Sequence, residues 1–196
     1  MSAEADIGGS IRAVAIGGSA GAVQALSRIL PALPPGYRLP VLIVVHVPPD
    51  RDNALVPLFQ AKCQVEVKEA EDKEPARSGV VYFAPSDYHL LVEADGSLSL
   101  SSDELVNHSR PSIDVLFESC ADAYGPALAG VILTGANHDG ARGLKAVADA
   151  GGVAIVEDPA GAYVPTMPAT ALRASPSALA MNLDAIASYL SNLGTV

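Results

Sequence analysis

Short, fully apolar runs alternate with stretches of helical spacing along most of the chain. Each run ends near a Gly, Pro or His, and the stretch after it repeats apolar residues three and four positions apart. The pattern predicts buried strands at 12–16, 41–45, 130–134 and 153–156, and helices at 22–33, 52–62, 111–124, 139–150 and 184–193. Strands buried on both faces that alternate with helices predict an α/β fold, a doubly wound, mostly parallel sheet with helices on both faces.

The middle of the chain has a different pattern. Short, partly alternating runs occupy 65–69, 80–83, 89–93 and 97–100, and a turn at 94–97 joins the last two. This predicts a small antiparallel hairpin at one edge of the sheet. With no internal repeat and no convincing linker, the sequence predicts a single catalytic-type domain over 11–193, preceded by a flexible segment over 1–10.

Composition narrows the function classes. The 196 residues carry 22 acidic and 12 basic side chains, for a net charge of −10, which argues against a nucleic-acid partner. Signal-peptide features are absent from the N-terminus, and the apolar runs are far shorter than a membrane span, so we expect a cytoplasmic protein that is not membrane-inserted. Cys63 and Cys120 have no partners at metal-ligand spacing; we expect free thiols, no metal and no cofactor.

Three reactive side chains follow three different predicted strands. Ser19 lies in Gly17-Gly18-Ser19-Ala20-Gly21, which fits the G-x-S-x-G turn that presents a serine oxygen above a sheet. His46 follows the second strand, and Asp139 follows the strand at 130–134. Each has an ordinary alternative: a glycine-rich phosphate loop, a structural histidine and a helix N-cap, respectively. The phosphate loop fits poorly because the G-x-G-x-x-G spacing is absent.

Taken together, the three residues favour catalysis. The carboxyl ends of parallel strands share one edge of a sheet, where distant residues converge. A serine becomes a nucleophile when a histidine takes its proton, and a carboxylate holds that histidine in the useful tautomer. The order Ser, His, Asp along the chain differs from the usual hydrolase orders, which suggests a separate family.

An ordered series of segments carries a specific resemblance. Besides the three strand ends, it includes the segments 81–90, 110–117, 133–144 and 166–169. From about 12 to 190 the chain resembles the catalytic domain of the chemotaxis protein-glutamate methylesterases. The resemblance implies a Ser-His-Asp triad of Ser19, His46 and Asp139. It also implies hydrolysis of glutamate γ-methyl esters on the cytoplasmic helices of chemoreceptors, with deamidation of glutamine a further activity.

The chemistry of ester cleavage and the same resemblance together suggest roles for surrounding residues. Backbone amides near Ala20 and in the loop from Gly135 to Asn137 are expected to stabilise the oxyanion. The pocket assignments also include Ala136, His89 and Met167, and the substrate-contact assignments are Arg110 and Arg142. For these residues the alternative is plain packing or an ordinary surface role.

Two departures from the family pattern stand out. Members commonly show Ser-Thr-Gly-Gly after the first strand and Thr-Gly-Met-Gly before the Asp, whereas this chain has Ala20 and Ala22, and Ala136 and Asn137, at the differing positions. Many members also carry an N-terminal receiver domain, for which ten residues leave no room. We therefore expect a free-standing esterase or an excised fragment. A response regulator or another signalling protein that acts in trans is a candidate partner. The alternative is a catalytically weak module that docks on a receptor or a response-regulator partner.

Overall fold

A computed structural model describes residues 11–47 and 54–195 of the chain. The segment 1–10, for which we predicted flexibility, lies outside the described residues, as do positions 52 and 53 of the helix predicted at 52–62.

Seven parallel strands form the central sheet, in the order β3-β4-β2-β1-β7-β8-β9. They are β1 (Ala13–Gly18), β2 (Val41–Val45), β3 (Glu66–Glu69), β4 (Val80–Phe83), β7 (Leu128–Ile132), β8 (Val153–Glu157) and β9 (Leu179–Met181). The antiparallel pair β5 (His89–Val92) and β6 (Leu98–Ser101) forms a separate two-stranded sheet. β1 occupies the centre of the large sheet because β2 pairs with one of its edges and β7 with the other.

Six α-helices accompany these strands in the described part of the chain. They are α1 (Ala22–Ile29), α2 (Leu55–Gln60), α3 (Ile113–Tyr124), α4 (Ala141–Asp149), α5 (Thr166–Ala174) and α6 (Leu183–Leu193). None of the helices in the described ranges is long and apolar enough to cross a bilayer.

Two hydrophobic cores lie on opposite faces of the sheet. Along β1, Val14 and Ile16 pack into the core that holds α1, α2 and α6, whereas Ala13 and Ala15 pack into the core that holds α3, α4 and α5. Successive side chains of a strand point to opposite faces, so a run of apolar residues serves both cores. This confirms the doubly wound fold.

The structure adds elements that the pattern did not predict. α5 is a short helix with a proline at its third position, and β9 is a three-residue edge strand that is largely exposed. Neither carries the apolar periodicity on which the prediction depended. α4 begins at Ala141, two residues later than predicted, because Gly140 has a φ of 95° and forms its N-cap.

Glycine at position 17 lets α3 approach the sheet closely. A Cβ at Gly17 would lie 2.3 Å from Cγ2 of Ile113, the first residue of α3. The beginning of α3 is thereby held next to the C-terminal end of β1, where Ser19 follows.

We therefore expect Gly17→Ala to lower the free energy of unfolding by about 1–3 kcal/mol, since the added methyl group overpacks this contact. Gly161→Ala is the matched control, because its Cβ would meet its nearest neighbour at 3.8 Å, an ordinary contact. Urea unfolding of both variants measures the difference. Equal stability of the two variants would contradict the role assigned to the close approach.

Candidate active site

The register of β1 and β2 places Ser19 beside His46. Gly18 is paired with Val45 in this parallel ladder, so the next residues on the two strands are Ser19 and His46. The ladder continues past the strands, since the His46 amide donates to the Gly18 carbonyl at 3.2 Å. Backbones of neighbouring strands lie about 4.8 Å apart, which brings these two side chains to adjacent positions at one edge of the sheet.

A tight turn presents Ser19 at the start of α1. The Ser19 amide donates to the Thr134 carbonyl at 2.9 Å, and the Ala22 amide donates to the Ser19 carbonyl at 2.9 Å. Gly21 follows with a φ of 85°, a conformation that L side chains rarely adopt, and a Cβ there would lie 2.8 Å from Cβ of Tyr163. Ser19 itself is half-buried.

Two buried side chains, one just past the end of β7 and one at the end of β8, brace this turn. The Thr134 hydroxyl donates to the Ala20 carbonyl at 2.9 Å, and the Thr134 amide donates to Oε2 of Glu157 at 2.7 Å. Burial raises the pKa of Glu157, although the bond from the Thr134 amide opposes the shift. The sequence analysis did not assign either residue to the site, although Thr134 falls within the segment 133–144 that carried the family resemblance; Glu157 ends the apolar strand β8 and has no such signal.

His46 is hydrogen-bonded to Asp139. Its Nε2 lies 2.8 Å from Oδ2 of Asp139, whose side chain is fully buried, while the His46 side chain remains 14% exposed. The histidine therefore contacts a buried carboxylate on one side and retains access to the cleft on the other.

The beginning of α3 holds the Asp139 carboxylate. The amides of Ile113 and Asp114 donate to Oδ2 and Oδ1 at 2.7 and 3.1 Å, and the Ser112 hydroxyl donates to Oδ1 at 2.9 Å. Unpaired amides and the positive end of the helix dipole make a helix N-terminus a favourable place for an anion. The alternative that Asp139 is only the N-cap of the following helix is therefore wrong: its carboxylate accepts from the N-terminus of α3, and Gly140 is the N-cap of α4.

These bonds decide the ionisation of Asp139. Burial acts to raise its pKa, while the hydrogen bonds from His46, the Ile113 amide, Asn107 and the Asp114 amide act to lower it. The hydrogen bonds prevail, and the pKa lies below the ordinary value of an aspartate. Asp139 is therefore an acceptor only, and Nε2 of His46 is the donor in the bond between them.

Asp114 and Asn107 complete the arrangement, and sequence reasoning did not assign either of them to the site. Oδ1 of Asp114 accepts from the amides of Gly140 and Gly143 at the start of α4, at 3.0 and 2.6 Å. Nδ2 of Asn107 donates to both carboxylates, to Asp114 at 2.7 Å and to Asp139 at 2.8 Å. Asp114 falls within the segment 110–117 that carried the family resemblance; for Asn107 the sequence offers no comparable signal.

Asn137 contacts the other nitrogen of the His46 ring. Its Oδ1 accepts from the Asp139 amide at 3.0 Å, and its Nδ2 lies 3.4 Å from Nδ1 of His46. The sequence singled out this side chain only as a departure from the family pattern, and the structure places it beside the imidazole.

His89 has a supporting position rather than a place in the cleft. It is buried, its Nε2 is 2.9 Å from the Glu104 carbonyl, and its Nδ1 accepts from the Ser112 amide at 3.1 Å. Both ring nitrogens are therefore engaged, and one of them orients the serine that donates to Asp139.

The backbone amides expected to form the oxyanion hole differ in availability. The Gly135 amide donates to the Val164 carbonyl at 3.1 Å, so the expectation for Gly135 is corrected: this amide is already occupied. Ala20 and Ala136 are exposed, and their amides donate to no acceptor within the described residues. Met167 is buried, and its side chain packs so closely on Gly135 that a Cβ there would lie 2.7 Å from its Sδ.

The two arginines have different surroundings. Arg110 forms an ion pair with Asp87 and donates to the carbonyls of Ser102 and Asp103, and it lines a cleft of about 240 Å³ together with His46. Arg142 pairs with Glu118 on the exposed surface of α3 and α4. Arg110 thus lies at the candidate site, whereas Arg142 is engaged on the neighbouring helices.

A larger cleft, of about 400 Å³, lies at the opposite end of the strands, the N-terminal end, where Arg12 and Pro40 precede β1 and β2. It contains none of the three strand-end residues.

Among the described residues, no group of three His, Cys, Asp or Glu side chains is arranged to hold a metal ion. Cys63 and Cys120 are free thiols, and burial raises the pKa of each.

Comparison with known proteins identifies the family of this chain. The sequence family described as CheB methylesterase matches residues 14–190. The chain belongs to the CheB methylesterase family. A protein from Leptospira interrogans, named as a protein-glutamate methylesterase/protein-glutamine glutaminase, is 46% identical over 175 residues, which cover 89% of this chain and 91% of that protein.

More distant members are longer than this chain. A Symbiobacterium thermophilum protein-glutamate methylesterase/protein-glutamine glutaminase is 40% identical over 157 residues, which cover 80% of this chain and 43% of that protein. The crystal structure of the Thermotoga maritima CheB methylesterase catalytic domain matches with a TM-score of 0.88 and 33% identity, over 94% of this chain and 100% of that domain. The family and the α/β fold are thus established together.

The lowered pKa of Asp139 makes stability depend on pH in a defined direction. In an unfolded chain the pKa of an aspartate is about 3.9. The contribution of the Asp139 carboxylate to stability is therefore complete above that pH, and it is lost as the pH falls through the lower, folded-state pKa. We expect Asp139→Asn to destabilise the protein by about 2 kcal/mol at pH 7, and this deficit to shrink below about pH 4.

Urea unfolding between pH 7 and pH 3 measures this dependence. Asp122→Asn, at an exposed position of α3, is the control and is expected to remain within about 0.5 kcal/mol of the parent. A deficit in Asp139→Asn that stays constant over the whole range would show that the charge of Asp139 does not contribute as described.

Proposed function

We propose that this chain is a serine carboxyl-ester hydrolase that removes methyl groups from glutamate γ-methyl esters on chemoreceptor cytoplasmic helices through Ser19, His46 and Asp139. One observation carries the proposal: the 2.8 Å bond between His46 and a buried, ionised Asp139, with Ser19 next to His46 in the strand register. The family, and the names of its curated members, supply the reaction class and substrate.

In the first half-reaction, Oγ of Ser19 forms a bond to the ester carbonyl carbon and its proton passes to Nδ1 of His46. The bond from that carbon to the methoxy oxygen then breaks, and the leaving oxygen takes the proton from Nδ1 and departs as methanol. In the second, water adds to the acyl carbon and loses a proton to Nδ1. The bond to Oγ breaks, Oγ recovers the proton, and a glutamate side chain is released.

Nδ1 is assigned as the base because Nε2 donates to Asp139. The serine-protease arrangement has the opposite ring orientation, with Nδ1 on the carboxylate and Nε2 on the serine. Asp139 serves the same purpose in either orientation: it fixes the tautomer and stabilises the imidazolium that forms during the reaction.

The oxyanion is stabilised by amides at the start of α1 and in the loop before Asp139. The amides of Ala20 and Ala136 are the candidates, since both residues are exposed and neither amide donates to an acceptor in the described residues. The N-terminus of α1 adds a favourable field for negative charge. Hydrolysis of a glutamine would follow the same path with ammonia as the leaving group.

The proposed setting is the cytoplasm, where the methylated receptor helices would be the substrate and a response regulator or other signalling protein would act in trans. Arg110 contacts the substrate in this account, because it lines the cleft that contains His46. Arg142 would do so only at the outer surface, beside Glu118.

The direct test is methanol release from a methyl-esterified receptor cytoplasmic fragment. We expect Ser19→Ala to reduce the rate at least about 10³-fold, since the nucleophile is removed while oxyanion stabilisation and substrate binding remain. Ser27→Ala is the matched control: Ser27 lies in α1, and among the described residues its hydroxyl bonds only to the Val23 carbonyl of the same helix.

A Ser19→Ala variant that retains more than a tenth of the parent rate would refute the assignment of the nucleophile. No release by the folded parent from several methylated receptors would favour the alternative, a catalytically weak module that docks on a receptor or a response-regulator partner.

A further inference from the structure

The orientation of the Asn137 amide follows from its contacts. A backbone N–H can only donate, so the Asn137 atom that faces the Asp139 amide at 3.0 Å is the oxygen. The nitrogen therefore faces Nδ1 of His46, at 3.4 Å. Rotating the amide by half a turn would place two N–H groups against each other, which fixes this arrangement.

The tautomer of His46 follows in turn. Asp139 accepts on both oxygens, so Nε2 carries a proton and donates it. An N–H of Asn137 points toward Nδ1, so Nδ1 must present its lone pair. A proton on Nδ1 would face that N–H directly, and the doubly protonated ring is therefore disfavoured by Asn137.

We propose that Asn137 is a positioning residue that holds His46 as the Nε2–H tautomer and opposes protonation of Nδ1, so that the base stays competent at lower pH. The 3.4 Å separation makes this a weak contact, which the Ser19 hydroxyl can displace when it approaches Nδ1. The kinetic consequence rests on the proposed function, whereas the tautomer itself does not.

Other charged and titratable groups lie near the ring. Asp139 contacts Nε2, and Asp87, His108 and Arg110 line the same cleft as His46. Arg110 and Asp87 are paired with each other, and His108 is exposed. Among the described side chains, only Asp139 and Asn137 form hydrogen bonds with the imidazole. Substitution at 137 thus changes the one polar contact that Nδ1 makes with the described side chains.

Two variants separate the amide donor from the turn that it stabilises. Asn137→Asp retains an oxygen to accept from the Asp139 amide but replaces the N–H with a carboxylate that attracts a proton to Nδ1. Asn137→Gly removes both contacts. His138→Gln, at the exposed neighbouring position, is the control.

The test is a pH titration followed by 15N NMR of the histidine side chains, with His46 assigned through its loss in His46→Gln. We expect the parent to show the Nε2–H tautomer. The pH of half-protonation should rise by about 0.4 in Asn137→Gly, as expected for loss of one weak neutral hydrogen bond. It should rise by about 1 or more in Asn137→Asp, where an opposite charge replaces the donor, and remain unchanged in His138→Gln.

An Nδ1–H tautomer in the parent, or the same midpoint in the parent and both Asn137 variants, would overturn the proposal. Because NMR observes the ring directly, this outcome is distinct from failure to hydrolyse a receptor ester. If the esterase activity is present, the acid limb of kcat/KM should move with the NMR midpoint, with KM unchanged; an acid limb that does not follow the midpoint would count against the role of Nδ1 as base.

Discussion

A buried, ionised carboxylate is the constraint on which the candidate site depends. Asp139 is fully buried, and a charge in that position requires compensation by hydrogen bonds. The N-terminus of α3 supplies amides, Asn107 and Ser112 supply side-chain donors, and His46 supplies the remaining N–H. The imidazole is therefore oriented by the same interactions that make burial of the charge tolerable.

This carboxylate also connects distant parts of the fold. α3 reaches Asp139 only because Gly17 in β1 allows Ile113 to approach the sheet. Asp114, one residue further along α3, accepts from the amides that begin α4. Each helix N-terminus thus holds a carboxylate from the other's segment. The geometry of the candidate site and the packing of α3 against α4 consequently share the same bonds, so we expect a change in one to alter the other.

The sequence predicted most of the fold and the convergence of the three strand-end residues, for a physical reason. Buried parallel strands have a strong apolar signature. Their carboxyl ends lie together at one end of the sheet, whatever the conformation of the loops that follow. The supporting residues were not predicted, because a contact such as that between Asn107 and Asp139 depends on the path of irregular loops. For Gly135 the residues suggested a free amide, and only the three-dimensional path of 164–167 shows that it is occupied.

The central claim is that His46, held by Asp139, activates Ser19. The most direct measurement is the rate of covalent labelling by a fluorophosphonate, which reacts with activated serines, with the labelled peptide identified by mass spectrometry. The account predicts a single phosphonylated residue, Ser19, and a rate that falls at least about 10²-fold in His46→Ala, since general-base catalysis contributes about that much or more. Labelling of Ser19 at the same rate in both proteins, or no labelling at Ser19 in the parent, would contradict it.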